Sequence, residues 1–148
     1  DLNEALEKQE EYLNLAQRVQ ADFDNFRKRN NTIRKESYDN GAIDFAKSLL
    51  PVLDNFERAL SALEYEDENN SIMVGINMVY KQLLDSFEKR GISQINRIGE
   101  KFDPNLEEAV TKGSPEDGDP GTVCEVLQKG YIMGSNVLRF SMVKVVPE

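Results

Sequence analysis

The first fifty residues contain no proline and only one glycine, Gly41, so nothing in them would strongly interrupt a single helix. A helix of that length would measure about 75 Å at 1.5 Å per residue. The rest of the 148-residue chain is too short to cover it. We therefore expect the segment to pair along its length with another helix, and a second copy of the same chain is the simplest partner.

An apolar stripe follows this segment with alternating spacings of three and four residues, which is typical of a coiled coil. Its candidate seam residues are Tyr12, Val19, Phe23, Phe26 and Ile33. Polar residues interrupt the stripe at Gln9, Asn30, Ser37 and Asn40. The pattern predicts a coiled-coil-like dimerisation helix, or stalk, over residues 1–50.

Two apolar runs follow, separated by a polar segment at residues 64–70. Pro51 lies in the first run, where it either kinks a helix or occupies the first turn of a new one. The second run begins after Asn70 or Ser71, either of which is a good N-cap, and ends at Gly91, which suits a left-handed C-cap. The two runs predict a helical hairpin over residues 51–91 that forms half of a dimeric four-helix bundle.

Glycine and proline become frequent after Gly91, and the runs between them have the composition of β-strands. The predicted strands cover residues 92–98, 122–127, 131–133 and 137–146, with a tight turn at 134–136 and a loop at 113–121. Residues 92–148 are therefore expected to form a small β domain. The predicted fold class is α+β: a long N-terminal helix, a helical hairpin and a C-terminal β domain.

Composition argues against several kinds of function. The chain has no histidine and one cysteine, so it can form neither a Ser-His-Asp triad, nor a His-ligated zinc site, nor an internal disulfide. A net charge of −9 disfavours nucleic-acid binding, and no apolar run approaches the roughly 18 residues that a membrane span needs. We expect no enzymatic activity and no catalytic residue, metal, cofactor, small-molecule substrate, nucleic acid or membrane partner.

Three features have two interpretations from the residues alone. The segment from Phe102 to Asn105 is either an ordinary turn or an exposed loop that presents an aromatic side chain to a partner. Gly75, inside an apolar helix, indicates close backbone packing at a helix crossing more than a direct contact with a partner. The basic run at residues 27–29 is either a solvated helix face or a docking site for an acidic protein surface.

Five groups of residues, taken in order and spacing, resemble the GrpE family, the nucleotide exchange factors of DnaK-type heat-shock chaperones. They are residues 21–29, residues 49–60, Gly75 with Ile76, residues 102–105 with 108–110, and residues 128–131 with 137–139. The resemblance extends from about residue 12 to residue 146. It implies a parallel homodimer whose β domain binds the chaperone's ATPase domain, opens its nucleotide cleft and accelerates ADP release, in protein folding and the heat-shock response.

The same resemblance implies roles for individual residues. The β-domain contacts with the chaperone would be Phe102, Pro104, Leu127 and Val145, and the helical contacts would be Arg27 and Arg58. Gly75 matches a bundle glycine on which partner binding depends. Two positions depart from the family pattern: Glu107 stands where a histidine is usual, and Asn136 where a basic residue is frequent.

A second interpretation is a coiled-coil dimeric scaffold or adaptor whose β domain binds some other protein, but it leaves the ordered groups of residues unexplained. The absence of a visible signal peptide predicts a cytoplasmic protein. Because the sequence begins at Asp1, the alternative is the mitochondrial matrix or the plastid stroma, after removal of a leader.

Overall fold

A computed structural model of the chain describes residues 1–63 and 70–148. Two helices come first, α1 (Leu2–Leu63) and α2 (Ser71–Glu88). Six strands follow: β1 (Ile92–Ile95), β2 (Glu107–Lys112), β3 (Val123–Gln128), β4 (Gly130–Met133), β5 (Asn136–Arg139) and β6 (Ser141–Val145). The structure confirms an α+β fold with a long N-terminal helix, a second helix and a small β domain. Most of the polar segment expected between the helices lies outside the described residues.

The chain divides into two compact units, Asp1–Gly41 and Ala42–Glu148. No residue of Asp1–Gly41 is buried within this single chain. The five candidate seam residues are all more than half exposed, from 51% for Ile33 to 68% for Tyr12. The apolar stripe of this unit is therefore left uncovered by the rest of the unit.

Helix α1 continues through Pro51, which lies inside it, so no new helix begins there. Helix α2 begins where the sequence predicts, because the Asn70 side chain accepts a hydrogen bond from the Ile72 amide at 3.0 Å and so caps the helix. Helix α2 ends at Glu88, and Gly91 lies in the turn that leads to β1, where its φ of 79° is in the left-handed region that glycine adopts without strain. The predicted start of α2 is confirmed, whereas the predicted C-cap at Gly91 is wrong, because the helix ends three residues earlier and Lys89 caps it.

The strands form two three-stranded sheets. One has the order β1-β4-β5 and is antiparallel; in the other, β6 lies between β2, to which it is parallel, and β3, to which it is antiparallel. The prediction of one strand over residues 137–146 is wrong, because the chain changes sheets at Phe140. Ser141, fully buried, fixes the change: its hydroxyl donates to the Ile95 carbonyl at 2.6 Å and accepts from the Gly130 amide at 2.7 Å.

The other strand predictions were partly right. The first strand ends at Ile95 instead of residue 98, and β3 and β4 lie within one residue of their predicted bounds. Strand β2 was missed because only its first residue, Glu107, is buried, so it lacks the apolar alternation that marks a half-buried strand. The predicted turn between β4 and β5 is present, with Gly134 at a φ of 59°.

One apolar core joins α1, α2 and the β1-β4-β5 sheet within Ala42–Glu148. Its buried members are Ile43, Ala46, Leu50, Leu53, Tyr80, Phe87, Ile92, Tyr131 and Leu138. Leu53 is completely buried, and the rings of Phe87 and Tyr131 meet edge to face with centroids 5.9 Å apart. The two helices and the first sheet are therefore packed as one body.

Candidate partner-binding surface

The segment from Phe102 to Asn105 forms an ordered turn between β1 and β2. The Asp103 carbonyl accepts hydrogen bonds from the Leu106 amide at 3.1 Å and the Glu107 amide at 2.9 Å. The Asp103 side chain accepts from the Asn105 amide at 2.9 Å, which makes an Asx-turn. Pro104 lies at the tip and is exposed. The two interpretations of this segment are thus compatible, because a well-formed turn also presents its tip to solvent.

A buried carboxylate holds this turn in place. The Glu107 side chain is completely buried; its Oε1 pairs with Arg97 at 2.8 Å and accepts from the Asp103 amide at 3.0 Å. Arg97 also pairs with Glu100 at 2.9 Å and donates to the Lys101 carbonyl at 3.2 Å. Because a buried charge requires a partner, this ion pair ties the turn to the segment that follows β1. Glu107 is therefore an internal support of the turn, which the sequence alone did not indicate.

Phe102 and Val145 line one open groove in the β domain, which we call the β2 groove. Its walls include the edge strand β2 from Ala109 to Lys112, together with Pro120 and Gly121. Phe102 and Val145 are half-buried, and Val110 is 41% exposed. The structure thus brings together two candidate contact residues that are 43 positions apart in the sequence, since β6 pairs with β2.

Leu127 and Arg58 line a second groove, which we call the α1–β3 groove, between the end of α1 and strand β3. Leu127 is 49% exposed, and Arg58 is exposed and hydrogen-bonded to Asn55. The groove contains carboxylates from α1 and the ammonium group of Lys129 from the β domain. A helical and a β-domain candidate contact residue therefore face the same surface depression.

The remaining candidates lie elsewhere. Arg27 is exposed in Asp1–Gly41 beside a shallow depression that Asp24, Lys28 and Asn31 also line. Gly75 is exposed on α2, and a Cβ built there would meet no atom within 4 Å. The expected close packing at Gly75 is therefore not made by any described part of this chain. Asn136 begins β5 and is exposed.

The apolar residues around Gly75 are exposed as well. They are Ile72, Val74, Met78 and Val79, which are between 46% and 67% exposed. On α1, Phe45 is 68% exposed and Val52 42% exposed. Each of the two helices thus has one apolar side in the shared core and further apolar residues that no described part of Ala42–Glu148 covers.

Two buried tyrosines lie close to the α1–β3 groove. Tyr80, which lines it, donates a hydrogen bond to Glu57 at 2.5 Å. Burial raises the pKa of Tyr80 above its usual range and that of Tyr131 to about 12. Gln94 donates to both hydroxyls, at 3.0 Å and 3.1 Å. Both tyrosine hydroxyls therefore keep their protons to a higher pH than an exposed tyrosine would.

Comparison with known proteins assigns the chain to a family. The family model described as GrpE matches residues 1–147. The chain belongs to the GrpE family. This confirms the resemblance that the five groups of residues indicated. Among the residues that the structure describes, no helix is long and apolar enough to cross a bilayer, and no three metal-ligating side chains are grouped.

Curated GrpE proteins of several bacteria are similar to the chain. Protein GrpE of Lachnoclostridium phytofermentans is 41% identical over 129 residues, which cover 87% of this chain and 58% of that protein. Protein GrpE of Geobacillus kaustophilus is 44% identical over 128 residues, 86% of this chain and 60% of that protein. Protein GrpE of Oceanobacillus iheyensis is 45% identical over 139 residues, 94% of this chain and 72% of that protein. The chain thus spans about three fifths of the first two relatives.

Proposed function

We propose that this GrpE-family chain is a nucleotide exchange factor, a co-chaperone that binds the ATPase domain of a DnaK-type chaperone and accelerates ADP release. The family match over residues 1–147 carries this proposal. The role belongs to protein folding and the heat-shock response. It requires no enzymatic chemistry from this chain, no cofactor and no small-molecule substrate.

The mechanism is differential binding to two states of the partner. A protein that binds the open nucleotide cleft more tightly than the closed one shifts the partner toward the open state. ADP binds the closed state better, so by linkage the two ligands lower each other's affinity by the same factor. The contact surface we propose consists of the turn with Phe102 and Pro104, Val145 in the β2 groove, Leu127 and Arg58 in the α1–β3 groove, and Arg27 on the stalk.

We further propose that the functional unit is a parallel homodimer. Exposed apolar residues at coiled-coil spacing along residues 1–50 support pairing of two stalks. The uncovered apolar residues of α1 and α2 support a four-helix bundle built from the residue 51–91 segments of two chains. Gly75 then lies at a helix crossing between chains, where its lack of a side chain permits close approach. Residues 92–148 form the domain that contacts the chaperone.

The proposed location is the cytoplasm, because the relatives named above come from bacteria. The acidic balance of the chain, with 27 acidic and 18 basic side chains, supports the absence of nucleic acid among its partners.

Stopped-flow release of fluorescent ADP from a DnaK-type chaperone tests the proposal. The unaltered chain is expected to accelerate release with a saturating dependence on its concentration. Phe102→Ala and Val145→Asp should raise the half-saturating concentration and leave the dimer intact. Phe140→Ala is the matched control, since Phe140 is a 46% exposed phenylalanine of the same domain that lines neither groove.

The outcomes separate the alternatives. Absence of acceleration at saturating concentration, with the dimer intact, would refute the exchange function and favour the scaffold interpretation. Loss of the dimer in the Phe102 or Val145 variant would assign that residue to the core instead of the contact surface.

A further inference from the structure

Two of the groups of residues that carry the family resemblance meet in space although neither holds many of the proposed chaperone contacts. Asp54 lies in the second group, residues 49–60 on α1, and Arg139 ends the last group on β5. The Arg139 guanidinium donates to the Asp54 carboxylate through both terminal nitrogens, at 2.7 Å and 2.8 Å. Gln128 at the end of β3 donates to the same carboxylate at 3.2 Å. One carboxylate on a helix thus binds two strands of the β domain.

A second carboxylate one helical turn further along α1 makes a similar connection. Glu57 accepts a hydrogen bond from Tyr80 of α2 and forms an ion pair with Lys129 at 3.4 Å. Because residues three apart lie on the same face of a helix, Asp54 and Glu57 face the β domain side by side. The polar network of Asp54, Glu57, Gln128, Lys129 and Arg139 therefore joins α1 to the β domain at two adjacent points.

The geometry of this network fixes one orientation of the β domain on α1, which attraction between two charges alone would not do. An arginine–carboxylate pair with two parallel hydrogen bonds has a fixed direction, which a lysine cannot reproduce. The Asp54 and Arg139 side chains are only 26% and 23% exposed, so solvent screens the pair weakly. Arg139 also lies over the Tyr131 ring, 5.8 Å from its centroid, which limits its movement.

The network lies directly beside proposed contact residues. Arg58 follows Glu57 on α1, and Leu127 precedes Gln128 on β3, so each proposed contact residue is the immediate neighbour of a network residue along the chain. We propose that the polar network is a positioning element, which holds the β domain in one orientation on α1 and so fixes the relative placement of Arg58 and Leu127 for the chaperone. This inference rests on the proposed function, because it concerns the surface that the chaperone contacts.

A rigid arrangement should bind more tightly than a mobile one, because less conformational freedom is lost on association. We expect Asp54→Asn and Arg139→Lys each to raise the half-saturating concentration for ADP release about tenfold, which corresponds to about 1.4 kcal/mol. The double variant should be no worse than either single variant, because the two residues act through one interaction. Glu125→Gln is the matched control: it neutralises the carboxylate that pairs with Lys144 at 3.0 Å inside one sheet, away from the helices.

Orientation is measured independently of the chaperone. Spin labels at Ser48→Cys on α1 and Ser135→Cys in the β4–β5 turn, in a Cys124→Ser background, report the distance between helix and β domain; both serines are exposed. Each labelled chain is refolded with an excess of unlabelled chain, so that the distances are measured within one chain. The network predicts a narrow distance distribution that broadens in Asp54→Asn and in Arg139→Lys and stays narrow in Glu125→Gln.

Unchanged distributions in both network variants would overturn the inference, and so would an equal broadening in Glu125→Gln. Broadening without any rise in the half-saturating concentration would also overturn it, because orientation would then not matter for binding. If the unaltered chain fails to accelerate ADP release, the proposed function fails, and the spin-label distances still decide whether the network fixes the β domain.

Discussion

Replacement of Glu107 by glutamine tests whether a buried carboxylate supports the turn that carries Phe102 and Pro104. Glutamine has nearly the same shape, and its carbonyl can still accept from Arg97 and from the Asp103 amide. What the substitution removes is the negative charge opposite the Arg97 guanidinium, 2.8 Å away. Glu108→Gln is the matched control, because Glu108 is the next residue and is exposed.

The free-energy cost of Glu107→Gln depends on how deeply Glu107 and Arg97 are buried. Removal of one member of a fully buried ion pair costs about 3–5 kcal/mol. Arg97 is 24% exposed and keeps its ion pair with Glu100, so its charge is not left alone. The loss is then closer to one hydrogen bond between charged groups, about 1.5–3 kcal/mol. At 1.36 kcal/mol per factor of ten, this predicts a roughly 10- to 150-fold change in the equilibrium for opening the turn.

Amide hydrogen exchange measured by NMR gives that equilibrium directly. The amides of Asp103 and Glu107 are hydrogen-bonded inside the turn, so their protection should fall by this factor in Glu107→Gln. Protection elsewhere in the β domain should fall less, and Glu108→Gln should leave both amides unchanged. Equal protection of the two amides in the unaltered chain and in Glu107→Gln, or an equal loss in Glu108→Gln, would show that the buried charge does not support the turn.

Three further predictions concern stability. Leu53→Ala should destabilise Ala42–Glu148 by about 2–5 kcal/mol in urea unfolding, because Leu53 is completely buried; an effect no larger than that of Val52→Ala would contradict this. Gly130→Ala should prevent normal pairing of the strands, since a Cβ there overlaps neighbouring backbone, whereas Gly41→Ala has open space in a helix and should stabilise by about 1 kcal/mol. Burial raises the pKa of Tyr131 to about 12 from 10.0. As the pH rises, the Tyr131 hydroxyl therefore loses its proton in the unfolded chain before it does so in the folded chain. The contribution of this hydroxyl to the free energy of unfolding is present below pH 10.0 and is lost as pH rises toward 12. Unfolding measured at several alkaline pH values, beside tyrosinate absorbance, checks this, and a constant stability across that window would contradict it.

The helices were the most predictable part of the fold because their signals are local. No proline interrupts the chain before residue 51, and α1 is continuous there. The cap at Asn70 acts over a few residues and is found as expected, whereas Gly91 marks the turn after α2 but not the C-cap. The sequence alone does not decide whether Pro51 kinks a helix or starts one, because its effect depends on whether packing favours a continuous helix. The core around Leu53 supplies that packing from the same segment of α1.

The strands were less predictable because their partners decide them. Nothing local marks Phe140 as the point where the chain changes sheets; the change depends on Ser141, which bonds residues of two other segments. Strand β2 exists because β6 lies beside it, although five of its six residues are exposed. In both places tertiary pairing overrides the local pattern.

The candidate surface also has residues that the sequence indicates and contacts that it does not. The exposed residues Leu127 and Pro104 were identified through the family resemblance, and their positions on the surface agree with a contact role. The sequence does not indicate the ion pair between buried Glu107 and half-buried Arg97, because a sequence does not show which charges the fold brings together. The same holds for Asp54 and Arg139, which are 85 residues apart.

The mass in solution, measured by light scattering with and without the ATPase domain of a DnaK-type chaperone, reports both the dimer and its binding to the chaperone. We expect twice the chain mass for the protein alone, and a larger complex with the nucleotide-free ATPase domain that dissociates when excess ADP is added. A monomer that forms no complex, or a complex whose stability is the same with and without ADP, would contradict it.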